Sequence, residues 1–179
     1  MIDADGNYRF TIPAKEWYLD YGNEGFSEGF ATVDINLVDP DTVQVWSSRN
    51  RYSYKGVINT DGKMVFSDKN WDEITPFRYN RAFIEDLNED WYLINRKGQI
   101  LNKEPYKEIL YPAYNGSPEN LFKNGIQFVR TDEGWGAIDT LGTFVIEPKD
   151  IDLSSKSLNL KGHIIFIKED ISVENRKYS

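Results

Sequence analysis

One seven-residue pattern returns four times in this chain and limits what it can fold into. It occurs as Ile2-Asp3-Ala4-Asp5-Gly6-Asn7-Tyr8, Ile58-Asn59-Thr60-Asp61-Gly62-Lys63-Met64, Ile94-Asn95-Arg96-Lys97-Gly98-Gln99-Ile100 and Ile138-Asp139-Thr140-Leu141-Gly142-Thr143-Phe144. Each copy is Ile, then Asp or Asn, two variable residues, Gly, one more residue and a large apolar residue. This is the chemistry of a β-hairpin turn. The Asp or Asn opens a type I turn, where its side-chain oxygen can accept a backbone N–H two residues on. The variable pair takes right-handed conformations that most side chains tolerate. The Gly then takes the left-handed position that completes a bulge, where a Cβ would cost energy. A calcium-loop reading of Asp3-Ala4-Asp5-Gly6 fails, because such a loop needs further oxygen ligands and a distal Glu. Here an apolar strand follows the Gly at once, so no metal is expected.

The repeating unit is longer than the turn. Seven residues before each of the last three glycines lies a second matching site: Lys55-Gly56, Trp91-Tyr92 and Trp135-Gly136. Further upstream, Phe26-Ser27-Glu28-Gly29-Phe30-Ala31-Thr32-Val33 aligns with two later segments. These are Phe77-Arg78-Tyr79-Asn80-Arg81-Ala82-Phe83-Ile84 and Phe122-Lys123-Asn124-Gly125-Ile126-Gln127-Phe128-Val129. Each unit reads as strand, loop, strand, tight turn, strand, connector. The turn glycines are 56, 36 and 44 residues apart, within or near the range that marks repeat architectures. The long first interval comes from an insertion between Val33 and Lys55, which contains Asp39-Pro40-Asp41 and Ser47-Ser48-Arg49-Asn50.

On these blocks the chain resembles the WG-repeat family, named for a Trp-Gly pair inside its unit. Phe26 to Val33 is similar to the family's opening block, and Trp135 to Pro148 is similar to its closing block. Only the last unit keeps the pair intact. Lys55-Gly56 lacks the Trp and Trp91-Tyr92 lacks the Gly. The resemblance covers residues 1–148 and implies a β-rich repeat protein; it brings no general catalytic residues.

The expected fold is therefore all-β: stacked antiparallel β-hairpin repeats, about three and a half WG-like units, in one domain of 179 residues. Residues 149–179 no longer repeat. Ser157 to Ile167, turning at Lys161-Gly162, reads as a capping hairpin that covers the last unit's core, followed by a frayed tail. Ser117-Pro118 reads as the start of one helical turn. Aromatic residues make up 15% of the chain, which suits a pleated surface. Met1 falls in mid-unit, so the chain opens on a half unit or follows a removed segment. The N-terminus carries no secretory pattern. That favours a cytoplasmic protein, while the mid-unit start leaves export open.

Charge and motif content narrow the function. The net charge is −8 and no basic patch of useful length occurs, which argues against nucleic acid and against anionic membranes. No apolar run reaches the ~20 residues of a membrane span. There is no Cys, so disulfides and thiol catalysis are excluded. His163 is the only histidine. It sits at a strand start beside a turn with no nucleophile-elbow motif, and reads as a turn-edge residue. Paired acids for glycoside hydrolysis must lie ~5–10 Å apart in a cleft, and no pair is marked out by its surroundings. The chain is expected not to be an enzyme and to need no cofactor.

What remains is a binding role. Acidic residues gather in each unit between the second and third blocks. Unit one has Asp34, Asp39 and Asp41; unit two has Glu85, Asp86, Glu89 and Asp90; unit three has Asp132 and Glu133. If units stack in register, these loops share one edge, and repeat proteins often bind through such an edge. Clustered acids repel one another, so a retained cluster fits a basic protein partner. The sequence therefore points to a non-enzymatic interaction module, with an immunity- or antitoxin-type inhibitor as one form of it. A carbohydrate- or cell-envelope-binding module built on exposed aromatics, Trp46 above all, is the alternative.

Overall fold

The computed structural model describes residues 17–19, 25–36, 53–110 and 121–150. These form eleven strands in three antiparallel sheets, with no helix among the described residues. The first sheet joins β1 (Trp17–Leu19), β2 (Phe30–Asn36), β3 (Ser53–Asn59) and β4 (Met64–Asp68) in that order. The second joins β5 (Trp71–Ile74), β6 (Arg81–Asp86) and β7 (Trp91–Asn95). The third joins β8 (Glu108–Ile109), β9 (Ile126–Thr131), β10 (Gly134–Asp139) and β11 (Phe144–Lys149). Each sheet is one repeat unit, and consecutive strands are neighbours. The half unit at Met1, the helical turn at Ser117 and the C-terminal hairpin lie outside the described residues.

Three copies of the tight turn are described, and each forms as its chemistry requires. The Asn59, Asn95 and Asp139 side-chain oxygens accept N–H groups two residues on, from Asp61, Lys97 and Leu141, at 3.0, 2.8 and 2.8 Å. Each oxygen also accepts a second N–H four residues on, from Lys63, Gln99 and Thr143. Gly62, Gly98 and Gly142 sit at φ +74°, +74° and +84°.

Two parts of the unit differ from the sequence reading. The connector contributes a strand (β1, β5 or β8), so units one and three are four-strand meanders and unit two a three-strand one. The opening block begins with a tight two-residue turn rather than a loop. Ser27 pairs with Phe30, Arg78 with Arg81 and Lys123 with Ile126. The central residues Glu28, Gly29, Tyr79, Asn80, Asn124 and Gly125 all have positive φ, as a type I′ turn demands. These turns also link neighbouring units. The Glu28 carboxylate accepts the Tyr79 and Asn80 N–H groups at 2.8 and 2.7 Å. The Ser27 hydroxyl donates to the Phe77 carbonyl at 2.6 Å. Arg96 donates to the Glu28 carbonyl and lies over the Phe30 ring.

The middle sheet is covered on both faces, which explains its continuous apolar runs. On β6, Ala82 and Ile84 pack towards the first sheet, with Val57 and Trp71. Phe83, between them, packs towards the third, with Leu121, Phe122 and Val129. On β7, Ile94 and Leu93 divide in the same way. Neighbouring units therefore share their hydrophobic cores, as stacked repeats must.

Candidate functional site

The acidic loops of units two and three sit at equivalent ends of their sheets, between the second and third strands. The loop after β6 is a hidden copy of the repeated turn. Asp86 Oδ1 accepts the Asn88 and Asp90 N–H groups at 2.8 and 3.0 Å, and the Asp86 carbonyl accepts the Glu89 N–H at 3.1 Å. Glu89 occupies the left-handed position at φ +64°, where the other copies have Gly. The missing Gly concealed this turn; the Asp three residues before that position was the available signal. An Asp86→Ala variant is expected to lose about 1–2 kcal/mol, the worth of one or two charge-assisted hydrogen bonds. Urea denaturation measures it, and an unshifted midpoint would refute a structural role for this carboxylate.

The remaining acids of the loop divide between pairing and exposure. Asp90 Oδ1 accepts from Lys107 Nζ at 2.8 Å. That hydrogen bond, with the charges of Asp90 and Asp132, raises the Lys107 pKa against the opposing effect of desolvation. Lys107 therefore lies in the field of both the unit-two and the unit-three loops. Glu85 is half-buried. Burial first, then the charges of Asp72, Glu89 and Asp86, push its carboxyl above the ordinary range, and a hydrogen bond with the Trp91 side chain partly offsets this. Glu89 is exposed, and Leu87 is 53% exposed at the loop tip between acids. In unit three, Asp132 and Glu133 are exposed at the tip of the β9–β10 hairpin, where Thr131 pairs with Gly134.

The structure thus places Glu85, Asp86, Glu89 and Asp90 on one loop, and pairs Asp90 with Lys107. Asp39, Asp41 and Trp46 lie outside the described residues. Asp34, which its position groups with the acidic loops, is buried. It pairs with Lys55 at 3.3 Å and accepts from the Ser53 hydroxyl at 3.1 Å.

Beside these loops lies a cleft of about 680 Å³. Its lining includes Lys103, Glu104 and Pro105 from the segment after β7, Glu147 and Pro148 from β11, and Asp132 and Glu133 from the β9–β10 hairpin. Tyr106 and Phe144 line it with rings nearly perpendicular, 6.3 Å apart. Burial pushes the Tyr106 hydroxyl up to about 12, so it stays neutral. The sequence reading did not single out Glu104 or Glu147. Both precede a Pro at the same point of the unit, and Glu104-Pro105 matching Glu147-Pro148 was a usable signal.

The same register explains the fate of the Trp-Gly pair. Lys55, Trp91 and Trp135 are equivalent, facing Asp34, Glu85 and Arg130 across the ladder. Where Lys replaces Trp, an Asp faces it and pairs with it. At the next position, a Cβ on Gly56 would meet Ile35 at 2.7 Å, and one on Gly136 would meet the Ile146 carbonyl at 2.8 Å. In unit two, Ile100 pairs with Ile94 and Tyr106 with Trp91. Leu101 still donates to the Leu93 carbonyl, but residues 102–105 form no strand opposite Tyr92, so Gly is not required there. Residues 56–91 and 135–149 match the model of the WG containing repeat family. These two segments carry the WG repeat. No curated protein and no solved structure matches it. The first WG match runs from Gly56 of unit one to Trp91 of unit two, so it crosses the core that those units share.

Proposed function

We propose that this β-rich WG-repeat module is a non-enzymatic interaction protein whose acidic edge binds a basic protein partner. One observation carries the reading: Glu85 is kept half-buried among Asp72, Asp86 and Glu89 although this disfavours its charge. An ionised group held at a cost to folding is a mark of a functional position. A cation supplied by a partner would remove that cost. The exposed Leu87 offers an apolar contact inside the same charged rim. An inhibitor of a basic toxin or nuclease, in the manner of immunity proteins, is one form such a module takes.

The test uses Glu85→Gln with Glu89→Lys, and leaves alone Asp86, which holds the turn, and Asp90, which holds Lys107. Capture from the source lysate with wild-type bait is expected to retain a basic protein. The double variant should bind it roughly tenfold more weakly, and added salt should release it. Capture indifferent to both the substitutions and salt would exclude the acidic edge.

Glu85→Gln alone has a second readout. A carboxyl whose folded-state pKa is raised contributes stability below the ordinary carboxylate pKa, and loses it as pH rises through the raised value. Ionisation of Glu85 therefore burdens the fold. The variant should melt higher than wild type at pH 7, and the difference should shrink as pH falls through the carboxylate range.

A further inference from the structure

The cleft beside the acidic loops exists because unit two departs from the repeat. Between equivalent ladder positions, the fourth segment runs from Met64 to Asp68 in unit one and from Phe144 to Lys149 in unit three. In unit two it runs from Ile100 to Tyr106. It is the longest of the three, and Lys103, Glu104 and Pro105, which belong to no strand, line the cleft together with residues of β11.

We propose that this cleft is a socket for one cationic side chain, an arginine or lysine, carried by a basic segment of the partner. The proposal rests on the acidic-edge reading above and names where its principal contact lies. Charge complementarity selects the occupant. Glu104, Asp132, Glu133 and Glu147 line the cleft, and among the described residues none of these carboxylates has a side-chain hydrogen bond or ion pair. Of the two lysines that line it, Lys107 is engaged by Asp90, which leaves Lys103 against four carboxylates. An anion would be repelled. A metal ion is not favoured either, since among the described residues no three carboxylates converge as a metal site.

The lining also suits an organic cation. The rings of Tyr106 and Phe144 and the prolines Pro105 and Pro148 offer apolar surface to the aliphatic stem, and the carboxylates of the same lining offer partners to its charged head. A guanidinium is weakly hydrated and planar, so it loses little on leaving water for such a site. The socket adjoins the Asp90–Lys107 pair, so an extended segment seated in it continues onto the Glu85–Asp90 loop.

The experiment titrates the isotopically labelled full chain with an arginine hexapeptide at moderate salt and follows backbone amide shifts. A citrulline hexapeptide of the same shape but without charge is the control. The proposal expects saturable shifts at residues 101–107 and 131–133. It also expects binding about tenfold weaker for citrulline and for Glu104→Gln with Glu147→Gln, the loss of two ion contacts. Both glutamates are exposed, so the variant keeps the fold, and its melting temperature verifies this. Shifts confined to Glu85–Asp90 with a silent cleft would overturn the socket and leave the acidic edge standing. No saturable shift at either place would overturn both. Equal binding of citrulline would overturn the role of charge.

Discussion

Replacing Gly134 by alanine is expected to cost about 3 kcal/mol or more of folding stability. Gly134 opens β10 at φ +114°, outside the regions an L side chain readily adopts. A left-handed residue with a Cβ costs roughly 1–2 kcal/mol by itself. The larger effect is steric. A Cβ at Gly134 would lie 2.0 Å from the Lys149 carbonyl oxygen, 2.3 Å from its carbon and 2.7 Å from the Asp150 nitrogen. All three are backbone atoms, so no rotamer change relieves the contact. The end of β11 must move off β10, adding the 1–3 kcal/mol typical of overpacking. Gly125 is the matched control. It has φ +78°, yet a Cβ there meets nothing within 4 Å. Gly125→Ala should therefore cost only the conformational part, about 1 kcal/mol. Urea denaturation of both variants separates the two terms. If Gly134→Ala proved no worse than Gly125→Ala, the close approach of β11 would be wrong. Because Asp132 and Glu133 precede Gly134, the variant should also displace one end of the cleft.

Local chemistry made the tight turns legible, because each is decided within five residues. Asn59, Asn95 and Asp139 cap their own turns, and Gly62, Gly98 and Gly142 take positive φ, without help from the rest of the fold. Stacking was legible too, since recurring hairpin units can bury their apolar faces only against one another. The readings that failed depend on a non-local partner or on an unusual local conformation. Asp34 looks like a loop acid in sequence, and only the pairing of β2 with β3 brings Lys55 opposite it. The Asp86 turn was hidden because Glu89 adopts a conformation that Gly would normally mark. The cleft was invisible for the same kind of reason: its walls come from the connector after β7 and from β11, and stacking alone brings them together.

That stacking makes the second large prediction. Phe83→Ala is expected to lose about 3–5 kcal/mol, the usual cost of deleting a buried phenyl ring. Phe83 is fully buried. Its ring stacks on Phe122 at 5.7 Å and meets Tyr106 edge-on at 6.3 Å. Phe83 and Tyr106 belong to unit two and Phe122 to unit three, so one deletion loosens a whole inter-unit core. Tyr106 reports the damage independently of stability. Its raised pKa means that the stability tied to its neutral hydroxyl is full below the ordinary tyrosine pKa, near 10, and is lost as pH rises through about 12. With Phe83 gone, Tyr106 is less desolvated, and its ionisation, followed by ultraviolet absorbance, should fall towards the ordinary value. The alkaline loss of structure should begin at correspondingly lower pH. A variant with wild-type stability and an unmoved Tyr106 titration would mean that units two and three do not share a core. Because Tyr106 lines the cleft, arginine-peptide affinity should fall with it, whereas Gly125→Ala, in the turn that opens unit three, should leave that affinity intact.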